Sequence, residues 1–196
     1  MTFAHDSVRR TVMTALATLP LGGSAATTHE GGVVQGSGSR ALVAYFSRSG
    51  NTRVVAGLIQ RLRGADVFEI RPAAPYPDDY LETVAQARAE KDRGHQPVLA
   101  QTVGAIVAYD TVFLGFPIWG ETVPPPVRSF LSAHDVSGKT LIPFVTHGGY
   151  GLGDAQAVLA RSAPAARLLT GFAMEADQER KTMERVTSWL NASGPS

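Results

Sequence analysis

The 196-residue sequence contains no cysteine, and its net charge is close to zero. The absence of cysteine excludes disulfides, thiolate catalysis, thiolate metal sites and lipid attachment through cysteine. Lys and Arg number 18 against 17 Asp and Glu, which gives a net charge of +1. Such a balance argues against nucleic acid or an anionic membrane as a partner. No apolar run is long enough to form a stable membrane span.

Sequence signals for metal binding and nucleophilic catalysis are also missing. The five histidines are scattered and have no spaced carboxylates, so we predict no metal site. The run 137–140 ends like a phosphate-binding P-loop, but Ala133 stands where that motif needs a glycine. No Ser/His/Asp set and no nucleophile elbow is evident, and we therefore assign no catalytic residue.

The first 39 residues differ in composition from the rest of the chain. Arg9 and Arg10 precede a mildly apolar run, and small residues follow it, so residues 1–26 resemble a twin-arginine export signal. The alternative is an N-terminal arm with a chance arginine pair. Residues 27–39 are rich in Gly and Ser and indicate a linker. We expect an exported protein if the signal is real and a cytoplasmic one otherwise.

The remaining chain predicts one domain over residues 40–191, followed by a tail over 192–196. Apolar segments of strand length alternate with helical patterns, which indicates an α/β fold with a doubly wound parallel sheet of five strands. The strand candidates are 41–46, 66–70, 110–116, 139–146 and 167–174. The helix candidates are a segment after residue 52, then 78–91, 124–131, 155–161 and 175–190. We interpret the charged run 90–95 as a solvated helix end.

The first strand–helix junction has the composition of an anion site. Val55, Leu58, Ile59 and Leu62 have the spacing of one apolar helix face, so a helix begins near residue 52. The N–H groups at a helix start lack intrahelical partners and carry partial positive charge. Hydroxyl groups and a glycine precede this start in residues 47–52, which predicts a phosphate site. The alternative is an ordinary turn with a threonine cap.

Two later loops also follow strands and would lie at the same end of the sheet. Trp119 offers a surface on which a flat aromatic ligand can stack, although a tryptophan that only covers the sheet is an alternative. Gly120 allows the following peptide to adopt two orientations. The glycine-rich loop 146–153 offers N–H groups to carbonyl oxygens of such a ligand. Tyr150 is either a second aromatic wall or an exposed loop tyrosine.

These motifs resemble the flavodoxin family. The segment 45–52, with Ala56 and Ile59, is similar to the flavodoxin signature, and the segments 115–119, 124–126 and 146–149 match further family motifs. The resemblance implies a short-chain flavodoxin with sheet order 2-1-3-4-5 and with FMN bound at the carboxyl ends of the strands.

The resemblance also assigns roles to individual residues. The residues implied to hold the FMN phosphate are Ser47, Arg48, Ser49, Gly50, Asn51 and Thr52. Those implied to contact the isoalloxazine are Pro117, Ile118, Trp119 and Gly120. Those implied to meet the polar edge of the ring are Thr146, His147, Gly148, Gly149, Tyr150 and Gly151. Backbone and hydroxyl donors suffice for a phosphate, so we expect Arg48 to point outward.

The sequence favours an FMN-binding redox protein that transfers electrons through bound FMN. The alternative is an FMN-dependent NAD(P)H oxidoreductase that acts on quinones or similar acceptors. A neutral domain surface favours the oxidoreductase slightly, whereas the lack of a nicotinamide motif favours the carrier. A third reading, a flavodoxin fold without FMN that binds proteins, conflicts with the intact 47–52 turn. The expected partner is a redox protein or a small-molecule electron acceptor.

Overall fold

A computed structural model describes residues 40–175 and 179–193. The predicted export signal, the predicted linker and residues 194–196 of the predicted tail lie outside the described residues. The described chain alternates strands and helices over its whole length, as the sequence predicts.

The sheet is parallel throughout, and its strand order is the predicted one. The strands are β1 Ala41–Tyr45, β2 Asp66–Glu69, β3 Thr111–Pro117, β4 Thr140–His147, β5 Arg167–Leu168 and β6 Phe172–Glu175. The hydrogen-bonded order is β2-β1-β3-β4-β5, and β6 also pairs with β4. The predicted order 2-1-3-4-5 is therefore confirmed, with β5 and β6 together in the fifth position.

The fifth strand is interrupted, whereas the sequence analysis predicted one continuous strand over 167–174. Segment β5 pairs with β4 at Thr140 and Leu141, and β6 pairs with it from Phe144 onward. Pro143 lies between these two regions of β4 and has no N–H to donate to an edge strand. A Cβ at Gly171 would lie 2.9 Å from Cγ of this proline. The chain therefore leaves the ladder beside Pro143 and rejoins it afterwards.

In the described residues, four α-helices connect strands and a fifth follows the last strand. They are α1 Asn51–Arg63, α2 Tyr80–Asp92, α3 Pro125–Ala133, α4 Ala155–Ser162 and α5 Glu179–Ser193. Helix α3 begins directly after Pro124, as its proline run predicts, because proline is tolerated in a first turn. Helix α5 continues to Ser193, past the predicted end of the domain at residue 191. Within the described residues, no helix is long and apolar enough to span a bilayer.

Apolar clusters cover both faces of the sheet. Val43 of β1 packs in one cluster with residues of α1 and α5, whereas the adjacent Leu42 packs in another with residues of α3 and α4. This alternation follows from the two-residue period of a strand. On α1, Val55, Leu58 and Ile59 are buried as predicted. Leu62 is 49% exposed, so its assignment to the buried face is wrong.

Helix α2 is attached to the domain mainly through polar side chains. Its only buried residues are Thr83 and Glu90, and its first turn is capped by Asp79, whose carboxylate accepts from the N–H of Glu82 at 2.9 Å. Glu90 is 5% exposed, so the interpretation of the 90–95 run as wholly solvated is wrong at its first residue. Because its buried side chains are polar, α2 lies beside the apolar core rather than forming part of it.

Candidate functional site

A groove of about 960 Å³ lies where the loops after β1, β3 and β4 meet helix α2. Most of the site residues implied by the resemblance line it. They are Arg48, Ser49, Asn51, Pro117, Ile118, Trp119, Gly120, Thr146, His147, Gly148 and Tyr150. Five others do not line it, namely Ser47, Gly50, Thr52, Gly149 and Gly151. The structure thus brings the three loops together around one opening.

The turn before α1 presents free N–H groups at the helix start. Gly50 has φ 97°, and its N–H donates to Oγ of Ser47 at 3.2 Å. Within the described residues, the N–H groups of Ser49, Asn51 and Thr52 have no hydrogen-bond acceptor. Unpaired N–H groups at a helix N-terminus, reinforced by the helix dipole, bind an anion. The turn therefore has the donors that a phosphate requires.

A buried hydroxyl pair joins the first turn of α1 to the end of β4. The Oγ1 atoms of Thr52 and Thr146 lie 2.8 Å apart, and both residues are buried. Each hydroxyl can donate or accept, so one satisfies the other. The sequence analysis assigned both residues to the cofactor but did not predict that they meet, since 94 positions separate them.

Arg48 connects the same turn to helix α2. One guanidinium nitrogen donates to the backbone oxygen of Asp78 at 2.7 Å, and the guanidinium lies 5.8 Å from the ring centroid of Tyr80. The residue is exposed yet lines the groove. Its side chain thus lies along the groove rather than simply outward.

Trp119 belongs to an aromatic cluster at the end of β1. Its ring meets those of Phe46 and Tyr76 edge-on, at centroid distances of 5.1 Å and 5.0 Å. These contacts fix the plane of the indole, and Trp119 still lines the groove. The structure shows that Trp119 packs on the core and lines the groove, and its stacking on a flat ligand stays a prediction.

Beside the tryptophan lies a polar contact, between the partly buried Tyr76 and the buried Glu90, that the sequence analysis missed. The hydroxyl of Tyr76 donates to one carboxylate oxygen of Glu90, and Nε2 of Gln86 donates to the other at 2.9 Å. Burial and the hydrogen bond to this carboxylate raise the pKa of Tyr76 far above its ordinary value. The sequence did contain one signal for a polar cluster on α2, because the spacing of Thr83, Gln86 and Glu90 places them on one helix face.

Residues 119–122 form a tight turn at the lip of the groove. The N–H groups of Trp119 and Thr122 each donate to the other residue's backbone oxygen at 3.2 Å. Gly120 has φ 55° and Glu121 has φ 64°, which makes this a type I′ turn. Among the described residues, Glu121 is the only non-glycine with positive φ, a conformation that costs about 1–2 kcal/mol. The backbone oxygen of Gly120 accepts from Nζ of Lys91 at 3.2 Å.

The loop after β4 exposes backbone on the opposite side of the opening. Nδ1 of His147 accepts from the N–H of Gly149 at 3.1 Å, and Gly149 has φ 113°. Tyr150 is 68% exposed beside this turn. The tyrosine is an exposed loop residue that lines the groove. Among the residues described, no cluster of His, Asp and Glu side chains could hold a metal ion.

Comparison with known proteins identifies the family. The sequence model of the flavodoxin family matches residues 40–193. A crystal structure of a proposed flavoprotein from Bacteroides eggerthii is 30% identical, covers 81% of this chain and 99% of its own, and has a TM-score of 0.71. A second, from Bacteroides uniformis, is also 30% identical, covers 79% and 99%, and has the same TM-score. No curated protein matches the chain.

A more distant structure has the same fold. The flavoprotein from Lactobacillus acidophilus, solved in complex with FMN, is 18% identical, covers 74% of this chain and 99% of its own, and has a TM-score of 0.60. The match over nearly the whole described domain, together with the sheet order, shows that the chain belongs to the flavodoxin family. The resemblance stated from the sequence is confirmed.

Proposed function

We propose that the chain binds FMN in the groove and is a redox protein that transfers electrons through it. The observation that carries this proposal is the row of unpaired N–H groups at the start of α1, in one groove with Trp119. A phosphate ester fits the first feature, and a flat aromatic ring fits the second. The FMN-bound structure of the Lactobacillus acidophilus flavoprotein, with the same fold, supports this assignment.

Bound FMN would supply the redox chemistry, and the protein would set its position and its surroundings. Ser49 and Asn51 would bind the phosphate with backbone N–H groups. Trp119, whose plane is fixed by its aromatic neighbours, would exclude water from one side of the ring. The loop from His147 to Tyr150 would donate backbone hydrogen bonds to the polar edge of the ring.

The FMN proposal is tested by the visible absorption spectrum of the full chain after FMN is added and the excess removed. We expect bands of bound flavin in the natural protein and their loss in Ser49→Asp, because a second negative charge repels the phosphate. Ser137→Asp, exposed in the loop before β4, is the matched control and should retain the flavin. A natural chain that retains no flavin would refute the proposal and leave the family assignment intact.

A second candidate function is an FMN-dependent NAD(P)H oxidoreductase that acts on quinones or similar acceptors. The groove favours it, because the lining continues past the implied FMN contacts along α2 to Arg88 and onto α3 at Arg128. Sustained NAD(P)H oxidation with an added quinone would support the enzyme. Reduction by a protein partner without such turnover would support the carrier.

Export remains part of the proposal and rests on Arg9 and Arg10, the mildly apolar run that follows them and the small residues after that run. Replacing both arginines with lysine keeps the charge but removes the twin-arginine pair. We expect the variant to stay in the cytoplasm of a bacterial host that has this pathway. Equal export of both forms would contradict the signal assignment.

A further inference from the structure

One wall of the groove has no role in the FMN assignment, and it carries three basic side chains. Helix α2 contributes Arg88 and Lys91, which lie three residues apart on one face of the helix. Arg128 of α3 lines the same opening. The sequence analysis assigned no function to these three cations, because they belong to segments that appear unrelated in the sequence.

Arg128 has an unused donor inside the protein. Its Nη2 donates to Oγ1 of Thr122 at 3.3 Å, while its Nε is buried and has no acceptor in the part of the chain that the structure describes. A buried guanidinium N–H without a partner is unfavourable. Because protein atoms enclose this Nε, the groups of Arg128 that can meet a ligand in the groove are at its Nη end, where Nη1 forms no hydrogen bond within the described residues.

Lys91 reaches the same turn from the other helix. Its Nζ uses one of three donors on the backbone oxygen of Gly120, two residues from Thr122. Across residues 40–175 and 179–193, neither Lys91 nor Arg128 forms an ion pair. Two unpaired cations therefore converge on residues 119–122.

Within the described residues, no acidic residue of the lining forms an ion pair with either cation. The carboxylate of Glu90 already accepts from Tyr76 and Gln86. Asp92 and Glu121 line the groove without approaching either cation within ion-pair distance. Charge and unused donors at Lys91 and Arg128 thus remain available to a ligand.

We propose that Arg128 and Lys91 bind the anionic group, a carboxylate or a phosphate, of a small redox partner that occupies the groove next to FMN. A guanidinium presents planar N–H donors that match either oxyanion, and Nη1 of Arg128 has no acceptor within the described residues. The turn 119–122 is also the segment implied to contact the flavin ring, so an anion held there lies beside the reacting part of the cofactor. The inference rests on the proposed function, since it names the chemistry of the molecule that would exchange electrons at that site.

The test compares binding of matched molecules that differ only in the anion. The FMN-loaded full chain is titrated calorimetrically with anthraquinone-2-carboxylate and its neutral 2-hydroxymethyl analogue. A second pair is nicotinamide mononucleotide and nicotinamide riboside, which differ by the phosphate. We expect the anionic member of one pair to bind at least about tenfold more tightly than its neutral analogue. Removing one charged partner of a buried charge pair weakens binding by this factor or more. The pair that shows the preference identifies a carboxylate or a phosphate as the group.

Variants assign the preference to the two cations. Arg128→Met and Lys91→Met should each remove it, whereas Arg93→Met is the matched control. Arg93 lies at the end of α2, is exposed and does not line this groove. Arg128→Lys keeps the charge without the planar fork and should retain only part of the preference. If Arg128→Met does not fold, Lys91→Met and Arg128→Lys still test the proposal.

Three outcomes would overturn the inference. In the first, neither pair shows tighter binding of the anionic member. In the second, Arg128→Met and Lys91→Met keep the same preference for the anion as the natural protein. In the third, these variants lose as much affinity for FMN as they lose for the probes. The last outcome would assign the cations to the cofactor. A chain that retains no FMN would defeat the proposed function separately. The same titrations on that FMN-free chain would still show whether Arg128 and Lys91 select an anion.

Discussion

The ring of Phe144 on β4 occupies the space over Gly115 of β3. The two residues are register partners, and a Cβ on the glycine would lie 2.1 Å from Cζ of the ring. The φ of Gly115 is not in the left-handed region, so the ring rather than the backbone requires glycine there. The backbone oxygen of this glycine also accepts from the N–H of Phe46 at 2.8 Å, at the end of β1.

We expect Gly115→Ala to destabilise the fold by about 1–3 kcal/mol, because the added methyl group must displace a buried aromatic ring. Urea denaturation followed by circular dichroism measures this change. Gly104→Ala is the control, since a Cβ at Gly104 meets nothing within 4 Å. Equal stability of the two variants would contradict the packing argument.

The hydroxyl pair of Thr52 and Thr146 predicts a non-additive double-mutant cycle. Either single valine variant leaves one buried hydroxyl without a partner and should cost about 1–3 kcal/mol. The double variant removes both hydroxyls, so its cost should be smaller than the sum of the two single costs. Additive costs in denaturant unfolding would show that the two hydroxyls do not support each other.

Tyr76→Phe removes a hydrogen bond from the buried carboxylate of Glu90 and should cost roughly 1–3 kcal/mol. The raised pKa of Tyr76 means that its contribution is fully present below the ordinary tyrosine pKa near 10 and is lost only as pH rises beyond it. We therefore expect the same loss of stability at pH 6 and at pH 8. A loss that vanished at pH 8 would contradict the direction of the shift.

The turn at Gly120 and Glu121 predicts an effect on the bound cofactor. Inverting the peptide between them would convert the type I′ turn to type II′ and give Glu121 a negative φ, at the expense of the Lys91 hydrogen bond. If reduction of FMN favours the inverted peptide, Glu121→Gly should lower its midpoint potential, because glycine removes the strain that inversion relieves. Strain of about 1–2 kcal/mol corresponds to about 20–40 mV for a two-electron couple.

The control for this turn is Glu121→Gln, which removes the charge but keeps the backbone preference. Gly120→Val should weaken both forms of the turn, since both need positive φ at residue 120. A midpoint potential in Glu121→Gly equal to that of the natural protein would exclude peptide inversion as part of the redox change.

Local patterns carried much of the prediction. The hydroxyl-rich turn before α1, the proline run at α3 and the glycine-rich loop after β4 all lie where the sequence places them. Each depends on hydrogen bonds and dihedral preferences within a few residues, which a single sequence displays directly. The strand order came from the family resemblance and not from periodicity.

Errors occurred where packing overrides the local pattern. Leu62 fits the apolar period of α1 but is 49% exposed, because no neighbouring element among the described residues covers it as Val55 and Ile59 are covered. The fifth strand fits a continuous apolar run, yet Pro143 on the neighbouring strand interrupts its pairing. Glu90 is charged, and the sequence analysis predicted that it is solvated. In the structure, its buried carboxylate accepts hydrogen bonds from Tyr76 and Gln86.

By itself, the sequence determined that this chain alternates buried strands with helices and that a hydroxyl-rich turn with a glycine precedes the first helix. Only the tertiary structure decided which distant side chains share the groove. Arg128 and Lys91 both donate hydrogen bonds to residues of the turn 119–122, and the hydroxyl of Tyr76 donates to Glu90. These contacts form because the sheet and α2 bring separate segments together. The physical reason is that such contacts depend on packing between elements, which leaves no periodic signal along the chain.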